Sequence, residues 1–214
     1  PSFYFKPKAI KQLAMYSFQN YLTLLSWHSP TYLLPLIVVN RLGAEANAFF
    51  FISLAMASLV WSIPHAVSLS LFAEGSYDET LLIPNLKRSL GITCVLLLPA
   101  ILILWVMGDK LLLAFGTTYS QEGTQVLRIL ALAAIPMAIN YLYVGVRRVQ
   151  KRMAGPIGLT CTVALIIIIM SYFLLPSLGI NGAGIALVMG HTLGALWVIV
   201  QYIVRIRSHG RIAK

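Results

Sequence analysis

Charged and amide side chains interrupt an apolar run that extends from residue 126 to residue 146. At about 1.5 Å per residue this run is long enough to cross a bilayer as one helix, yet it contains Arg128, Pro136 and Asn140. A guanidinium offers paired donors that suit a phosphate, and an amide adds further hydrogen bonds. At about 100° per residue, roughly a third of the helix circumference is shared by six residues: Gln125, Arg128, Leu132, Pro136, Asn140 and Tyr143. The pattern predicts a membrane helix with one polar face that could bind a polar, anionic ligand.

Further candidate residues lie in two earlier apolar segments. Asn20 and Trp27 share a helix face with other polar and aromatic residues of the first segment, and His65 lies among serines of the second. A polar face on a membrane helix is typically turned away from lipid. Six residues are therefore predicted to line a substrate cavity: Arg128, Asn20, Asn140, Trp27, His65 and Tyr143.

Other interpretations of these residues stay open. Arg128 lies about two turns below the predicted outer surface, so its side chain could instead snorkel to the outer headgroups. Asn20 and Asn140 could bond neighbouring helices rather than a substrate. Glu74 lies at a predicted span boundary and is predicted to be a helix-end or gate ion-pair partner, with Lys87 and Arg88 the nearest basic residues in sequence.

The sequence offers no pattern for catalysis or metal binding. His28, His65 and His191 fall in three different apolar segments without ligand spacing, so we expect hydrogen-bonded interior histidines and no metal site. An enzyme site would need a carboxylate pair, a metal cluster or a nucleophile with its base. We therefore predict no catalytic residue, no cofactor and no enzymatic activity.

Composition places these residues in an integral membrane protein. Hydrophobic residues make up 59% of the 214, charged residues 10%, and mean hydropathy is +0.84, outside the range of soluble domains. We predict an all-α, polytopic bundle of six transmembrane helices within residues 13–206, between a basic interfacial segment at residues 1–12 and a basic tail at residues 207–214. The predicted spans are 13–40, 46–73, 90–107, 126–146, 155–175 and 183–204.

Three local features refine this prediction. Pro30 and Pro35 should bend or break the first span near Ser29, because proline removes a helical hydrogen bond. Residues 108–121 are too short and mixed to cross, and Lys110 to Phe115 are predicted to form an interfacial turn that ends at Gly116. In the last span a small residue recurs every fourth position, which lets another helix approach closely; the residues are Gly182, Ala186, Gly190 and Gly194.

The positive charges predict the orientation of the bundle. The net charge is +10, but Lys and Arg lie between apolar segments and not on one soluble patch, so we predict no nucleic-acid partner. Thirteen of the sixteen flank the same end of the predicted bundle, whereas only Arg41 and Lys110 flank the other. An excess of positive charge marks the cytoplasmic face, so both ends of the chain are predicted to be cytoplasmic.

Several short motifs resemble one transporter superfamily. They are Pro30-Thr-Tyr-Leu-Leu-Pro35 with Leu42-Gly43, Ser70-Leu-Phe-Ala-Glu74, Phe115-Gly-Thr-Thr-Tyr119, the stretch from Leu127 to Pro136, and Leu178-Gly-Ile-Asn-Gly-Ala-Gly184. Their order and spacing resemble the second half of polysaccharide flippases of the multidrug/oligosaccharidyl-lipid/polysaccharide (MOP) exporter superfamily, which includes the MATE-like fold. Members have two six-helix lobes around a central cavity, so the resemblance implies an N-terminal lobe as a further partner.

The resemblance implies alternating-access transport of a polyprenyl-pyrophosphate-linked oligosaccharide across the cell membrane, for surface polysaccharide biosynthesis. Its partners would be the lipid-linked glycan and membrane lipids. Two alternatives stay open: a cation-coupled multidrug exporter of the MATE type, and a non-transporting scaffold of cell-wall assembly. An exporter of that type needs carboxylates in its cavity, whereas all six acidic residues here lie at span ends or in loops.

Overall fold

The computed structural model describes residues 7–212, and the side chains of residues 10–204, as six long helices. They are α1 (Pro7–Leu42), α2 (Ala44–Tyr77), α3 (Leu82–Leu113), α4 (Thr117–Val149), α5 (Ala154–Leu178) and α6 (Ile180–Ile212), with one 3₁₀ turn at Glu79–Leu81. Within this described range the chain is all-α, and all six helices are long and apolar enough to cross a membrane. The predicted six-helix, multi-pass membrane fold is confirmed.

The helices are longer than the predicted spans. The predicted turn from Lys110 to Gly116 is shorter in the structure: α3 continues to Leu113, so only residues 114–116 separate it from α4, and the connection ends at Gly116 as predicted. Hydropathy marks the apolar part of a helix, and helical hydrogen bonding continues past it into polar residues. For the same reason, the predicted interfacial segment is helical from Pro7 and the predicted tail is helical to Ile212, while residues 1–6 and 213–214 lie outside the described range.

Helix α1 is not broken by its prolines. It is continuous through Pro30 and Pro35, so the predicted break near Ser29 did not form. Proline at position 30 leaves the carbonyl of Ser26 without its usual helical donor. The Ser29 hydroxyl donates to that carbonyl at 2.9 Å and thereby restores a partner within the helix.

The connections between helices are short. Gly43 alone separates α1 from α2 with φ 92°, and Gly179 alone separates α5 from α6 with φ 58°, a left-handed conformation that glycine adopts without a Cβ clash. Between α2 and the 3₁₀ turn, Asp78 accepts from the Thr80 hydroxyl at 2.6 Å and from its backbone amide at 2.9 Å. These two bonds hold the pKa of the Asp78 carboxyl below its usual value.

Helix α4 forms the centre of the bundle. It packs against α2, α3 and α6, while α5 packs against α1 and α6. Large parts of α4 are fully buried, including Leu127, Leu130 and Asn140. A helix that is surrounded by protein can carry polar groups at membrane depth, because neighbouring helices and not lipid meet them.

The helix ends fall into two groups. The Tyr16 hydroxyl on α1 donates to the carbonyl of Arg148 at the end of α4, whereas Ser53 early in α2 donates to the carbonyl of Gly123 early in α4. One end of the bundle therefore gathers the start of α1, the α2–α3 connection, the α4–α5 loop and the last part of α6. We call it the basic end, because it carries most of the Lys and Arg residues.

The small-residue stripe of α6 does allow close approach. A Cβ on Gly190 would lie 2.4 Å from Ile167 Cγ1 of α5, and one on Gly194 would lie 2.7 Å from Val163 Cγ2. Both distances are shorter than any tolerated carbon contact. The stripe therefore seats α5 directly against the α6 backbone, as the four-residue spacing predicts.

Candidate functional site

Aromatic and imidazole rings from four helices meet inside the bundle. Trp27 of α1 lies 4.1 Å from Tyr141 of α4 and 5.3 Å from His191 of α6, measured between ring centroids. His65 of α2 lies 5.2 Å from Tyr141 and 6.5 Å from His28 of α1. We call these five residues the histidine cluster. Trp27 Nε1 also donates to the Tyr141 hydroxyl, which orients both rings.

The Asn140 side chain contacts His191 of the histidine cluster. Asn140 is fully buried, and its Nδ2 donates to the carbonyl of His191 at 2.9 Å and lies 3.5 Å from His191 Nδ1. This supports the cross-helix interpretation of Asn140. Its Oδ1 has no hydrogen-bond partner among the described residues, so the amide keeps one buried acceptor available.

The end of the histidine cluster that contains His28 and His65 reaches the protein surface between α1 and α2. His28 and His65 are partly exposed there, Ser62 of α2 is exposed, and Tyr32 of α1 is 72% exposed. Leu59, 72% exposed, lies one turn before Ser62 on α2. We call this surface the α1–α2 face. It presents donors, acceptors and hydrocarbon side by side.

A buried guanidinium lies toward the basic end of the same region. Arg148 is only 8% exposed, and within the described part of the chain its Nε has no hydrogen-bond partner. Tyr16 of α1 reaches the Arg148 carbonyl, so α1 covers this part of α4. A buried cation without a carboxylate partner is costly, and an anion would relieve that cost.

A second polar site lies at the basic end, between α1, α4, the α4–α5 loop and α6. It is an open pocket of about 580 Å³, and we call it the basic pocket. Its residues are Gln19, Tyr143, Arg147, Lys151, Arg152, Met153, Ala154, Gly155, Trp197 and Gln201. The Arg147 guanidinium lies 5.2 Å from the Tyr143 ring centroid, within cation–π range.

The loop that supplies the basic pocket ends α4 in a Schellman motif. The amide of Arg152 donates to the carbonyl of Arg147, and that of Lys151 to Arg148, each at 3.0 Å. This motif needs a left-handed residue, usually glycine, at the position that Lys151 occupies with φ 55°. A lysine here costs stability relative to glycine and places its charge at the pocket.

The predicted polar face of α4 does not line one cavity. Arg128 turns to α3, where its Nε donates to the carbonyl of Trp105 at 3.0 Å and Trp105 Nε1 donates back to the carbonyl of Arg128 at 3.2 Å. Asn140 turns to α6, and Tyr143 turns to the basic pocket. The face spans about a third of the circumference, which is wide enough for its members to meet different neighbours.

Two further predicted residues, Asn20 and Glu74, also lie outside the histidine cluster. Asn20 is partly buried on α1, and its Oδ1 lacks a partner among the side chains and backbone groups that the structure describes. Glu74 is exposed at the end of α2, and its carboxylate accepts from Ser70 one turn earlier at 3.2 Å. Of the predicted cavity residues, the structure thus brings together Trp27, His65 and Asn140.

Sequence reasoning did not single out Tyr141, His191 or Arg148 as site residues. Tyr141 and Arg148 are seven residues apart and therefore share one face of α4, a signal that could have found them. No sequence pattern pointed to His191, because only the packing of α6 against α4 brings it to the level of Asn140 along the bundle axis. Among the described residues, no three His, Cys, Asp or Glu side chains are grouped to hold a metal ion.

Comparison with known proteins does not extend this description. No protein-family model, curated protein or solved structure matches the chain. The function proposed below therefore rests on the polar groups of the six-helix bundle and on the resemblance of its motifs.

Proposed function

We propose that this bundle is one lobe of a membrane transporter that moves a polyprenyl-pyrophosphate-linked oligosaccharide from the cytoplasmic to the outer leaflet of the cell membrane by alternating access. It acts as a transporter and not as an enzyme. The single observation that carries this proposal is the opening of the histidine cluster on the α1–α2 face. The motif resemblance adds the substrate class.

A histidine side chain in the middle of a membrane helix is costly to place against lipid hydrocarbon. His28 and His65 lie in the middle part of α1 and α2 and are partly exposed. Ionisable side chains inside a membrane usually face a bundle interior or a water-filled cavity. A second lobe placed against the α1–α2 face would enclose such a cavity, with His28, His65 and Ser62 on its wall.

The mixed character of the α1–α2 face suits an amphiphilic substrate. A lipid-linked oligosaccharide carries a polar glycan, an anionic pyrophosphate and an apolar chain. Tyr32 and His65 offer hydrogen bonds to the glycan, and Leu59 offers apolar contact. The buried guanidinium of Arg148, whose Nε has no partner among the described residues, offers positive charge toward the basic end. Positive charge at that end also supports a cytoplasmic basic end and cytoplasmic chain termini.

The same arrangement favours the flippase over the cation-coupled exporter. Coupling to a cation in the cavity needs a carboxylate there. The acidic residues of the chain lie near helix ends: Glu45, Glu74, Asp78, Glu79, Asp109 and Glu122. The residues of the histidine cluster instead offer imidazole, phenol and indole groups.

The test uses the natural polypeptide that carries this lobe, expressed in a strain that lacks its own flippase for lipid-linked oligosaccharide. Ser62→Trp places a large ring on the α1–α2 face, so we expect it to abolish most glycan export. Leu102→Trp is the matched control, because Leu102 is 63% exposed on α3 and the new ring meets lipid. Surface glycan is measured at equal membrane levels of each protein.

The outcomes separate the alternatives. Equal export by Ser62→Trp and Leu102→Trp would overturn the assignment of the α1–α2 face to a substrate cavity. Efflux of cationic drugs without glycan export would favour the MATE-type exporter. Glycan assembly that requires the protein but shows no movement of labelled lipid-linked oligosaccharide in reconstituted vesicles would favour the scaffold.

A further inference from the structure

The basic pocket concentrates positive charge without a compensating carboxylate. Arg147, Lys151 and Arg152 all line it. The helices that form it are nearly free of acid: α1, α5 and α6 contain no Asp or Glu, and α4 contains only Glu122. Glu122 lies near the opposite end of α4, on the order of 35 Å from Arg147 at 1.5 Å per residue. Neutralising charge must therefore come from outside these helices.

Uncharged donors converge on the same pocket. The Tyr143 ring lines the pocket, whereas its hydroxyl is inaccessible to solvent and lies against Gly155. Ala154 and Gly155 line the pocket at the first turn of α5, where backbone amides are not used within the helix. Gln19 and Gln201 line the remaining sides. A phosphate group in the pocket can accept hydrogen bonds from these backbone amides and from the two glutamine side chains.

An apolar surface begins where the basic pocket ends. Trp197 of α6 lines the pocket and is 39% exposed. One and two turns further from the basic end along α6 lie Leu193, 47% exposed, and Met189, 41% exposed. Residues three or four apart share a helix face, so this surface continues from the pocket along the apolar span Ile180–Val204.

We propose that the basic pocket binds the phosphate headgroup of an anionic phospholipid, with the acyl chains lying along the exposed face of α6. The cations and donors meet the phosphate, and Trp197 marks the boundary between headgroup and hydrocarbon. A free phosphate ion would use the cations but would gain nothing from Leu193 and Met189. This site lies apart from the α1–α2 face and does not depend on the proposed transport function.

Trp197 supplies a direct probe. The 214-residue chain is reconstituted in phosphatidylcholine vesicles that contain an increasing fraction of brominated phosphatidylglycerol, whose bromine atoms quench nearby tryptophan. The quenching that belongs to Trp197 is the difference between the unchanged chain and Trp197→Phe. We expect half-maximal quenching at a several-fold lower fraction of brominated phosphatidylglycerol than of brominated phosphatidylcholine. Equal fractions for the two lipids would overturn the proposal.

Charge variants localise the binding. The pocket variant replaces three residues by glutamine: Arg147, Lys151 and Arg152. The control variant replaces three exposed basic residues at the same end of the bundle by glutamine: Lys11, Lys87 and Arg88. We expect the pocket variant to lose the preference for phosphatidylglycerol and the control variant to keep it. The same loss in both variants would overturn the proposal in favour of general surface attraction.

A single substitution tests the same site without the risk that a triple variant misfolds. Lys151→Gly removes one charge and places glycine at the left-handed position of the Schellman motif, so the bundle should be at least as stable as the unchanged chain. One basic residue near an anionic surface contributes about five-fold in binding. We expect Lys151→Gly to raise the half-maximal fraction by about that factor; an unchanged fraction would overturn the role of Lys151.

Inorganic phosphate distinguishes the two sources of the phosphate group. We expect millimolar inorganic phosphate to leave Trp197 quenching by brominated phosphatidylglycerol in place, because the ion lacks acyl chains. Complete displacement by inorganic phosphate at constant ionic strength would identify a free-phosphate site and overturn the lipid assignment.

Discussion

Arg128 illustrates how one residue type serves different purposes at different places in a membrane helix. Its Nε and backbone carbonyl form a reciprocal pair with the backbone carbonyl and indole of Trp105. The guanidinium is thus held against α3, whereas the histidine cluster lies against α1, α2 and α6. Arg148, which is more deeply buried and whose Nε has no partner in the described part of the chain, is the better placed cation for an anionic substrate.

We therefore expect the Arg128→Gln variant to retain glycan export and to show only a modest decrease in its free energy of unfolding. The lost hydrogen bond to the Trp105 carbonyl should cost about 0.5–1.5 kcal/mol. Export is measured by complementation in the flippase-deficient strain, and stability by thermal unfolding of the purified protein. Arg128→Lys serves as the charge-retaining control. Loss of export in both variants at normal membrane levels would instead support a role of Arg128 in substrate binding.

At the scale of helices, close approach of α5 to α6 positions the histidine cluster. Gly194 allows Asn140 to reach α6, since a Cβ there would lie 3.1 Å from Asn140 Nδ2. Gly190 seats Ile167 of α5 in the next turn. Side chains at these two positions would push the helices apart and separate Asn140 from His191.

The Gly190→Ala substitution should destabilise the bundle by about 1–3 kcal/mol, because the added methyl group overlaps the fully buried Ile167. Gly91→Ala is the matched control. Gly91 lies inside α3 with open space around a Cβ, so alanine there should be neutral or stabilise by up to about 1 kcal/mol. Both are measured by reversible unfolding in detergent micelles. Equal stability of the two variants would contradict the packing of α5 on α6.

At the scale of the whole molecule, alternation of the helices collects the loops into two sets with very different charge. The basic end carries the α2–α3 connection with Lys87 and Arg88, and the α4–α5 loop with Lys151 and Arg152, whereas Arg41 lies at the opposite end. Excess Lys and Arg in short loops is retained on the cytoplasmic side during insertion. The charge distribution therefore supports a cytoplasmic basic pocket.

Single cysteines should report this orientation. We expect cysteine at positions Ser76 and Ser208 to be protected from a membrane-impermeant thiol reagent added outside cells, and cysteine at Ala44 and Ser177 to be labelled. Cys94 and Cys161 are first replaced, since both are free thiols. Labelling of lysed cells shows that every position can react. Two or more positions with the opposite pattern would contradict cytoplasmic termini.

Much of the fold was predictable from local pattern. Apolar length identified six membrane helices, because each crossing needs about twenty apolar residues whatever the partner. The four-residue spacing of small residues identified a packing face on α6, and the polar face of α1 was correctly predicted to turn inward, since Thr23 and Trp27 are buried. Each of these properties follows from the geometry of a single helix.

Only the tertiary structure decided which groups meet. Periodicity gives the direction of a side chain around its own helix axis, but the identity of the helix in that direction depends on packing of the whole bundle. Arg128 and Asn140 therefore share a broad face in sequence yet contact α3 and α6, respectively. Likewise, α1 stays continuous through Pro30 and Pro35, and the Ser29 hydroxyl donates to the Ser26 carbonyl that Pro30 leaves without a helical donor. The histidine cluster exists because α1, α2, α4 and α6 converge: Trp27 and His65 contact Tyr141, and His191 contacts Trp27. No single helix contains this relation.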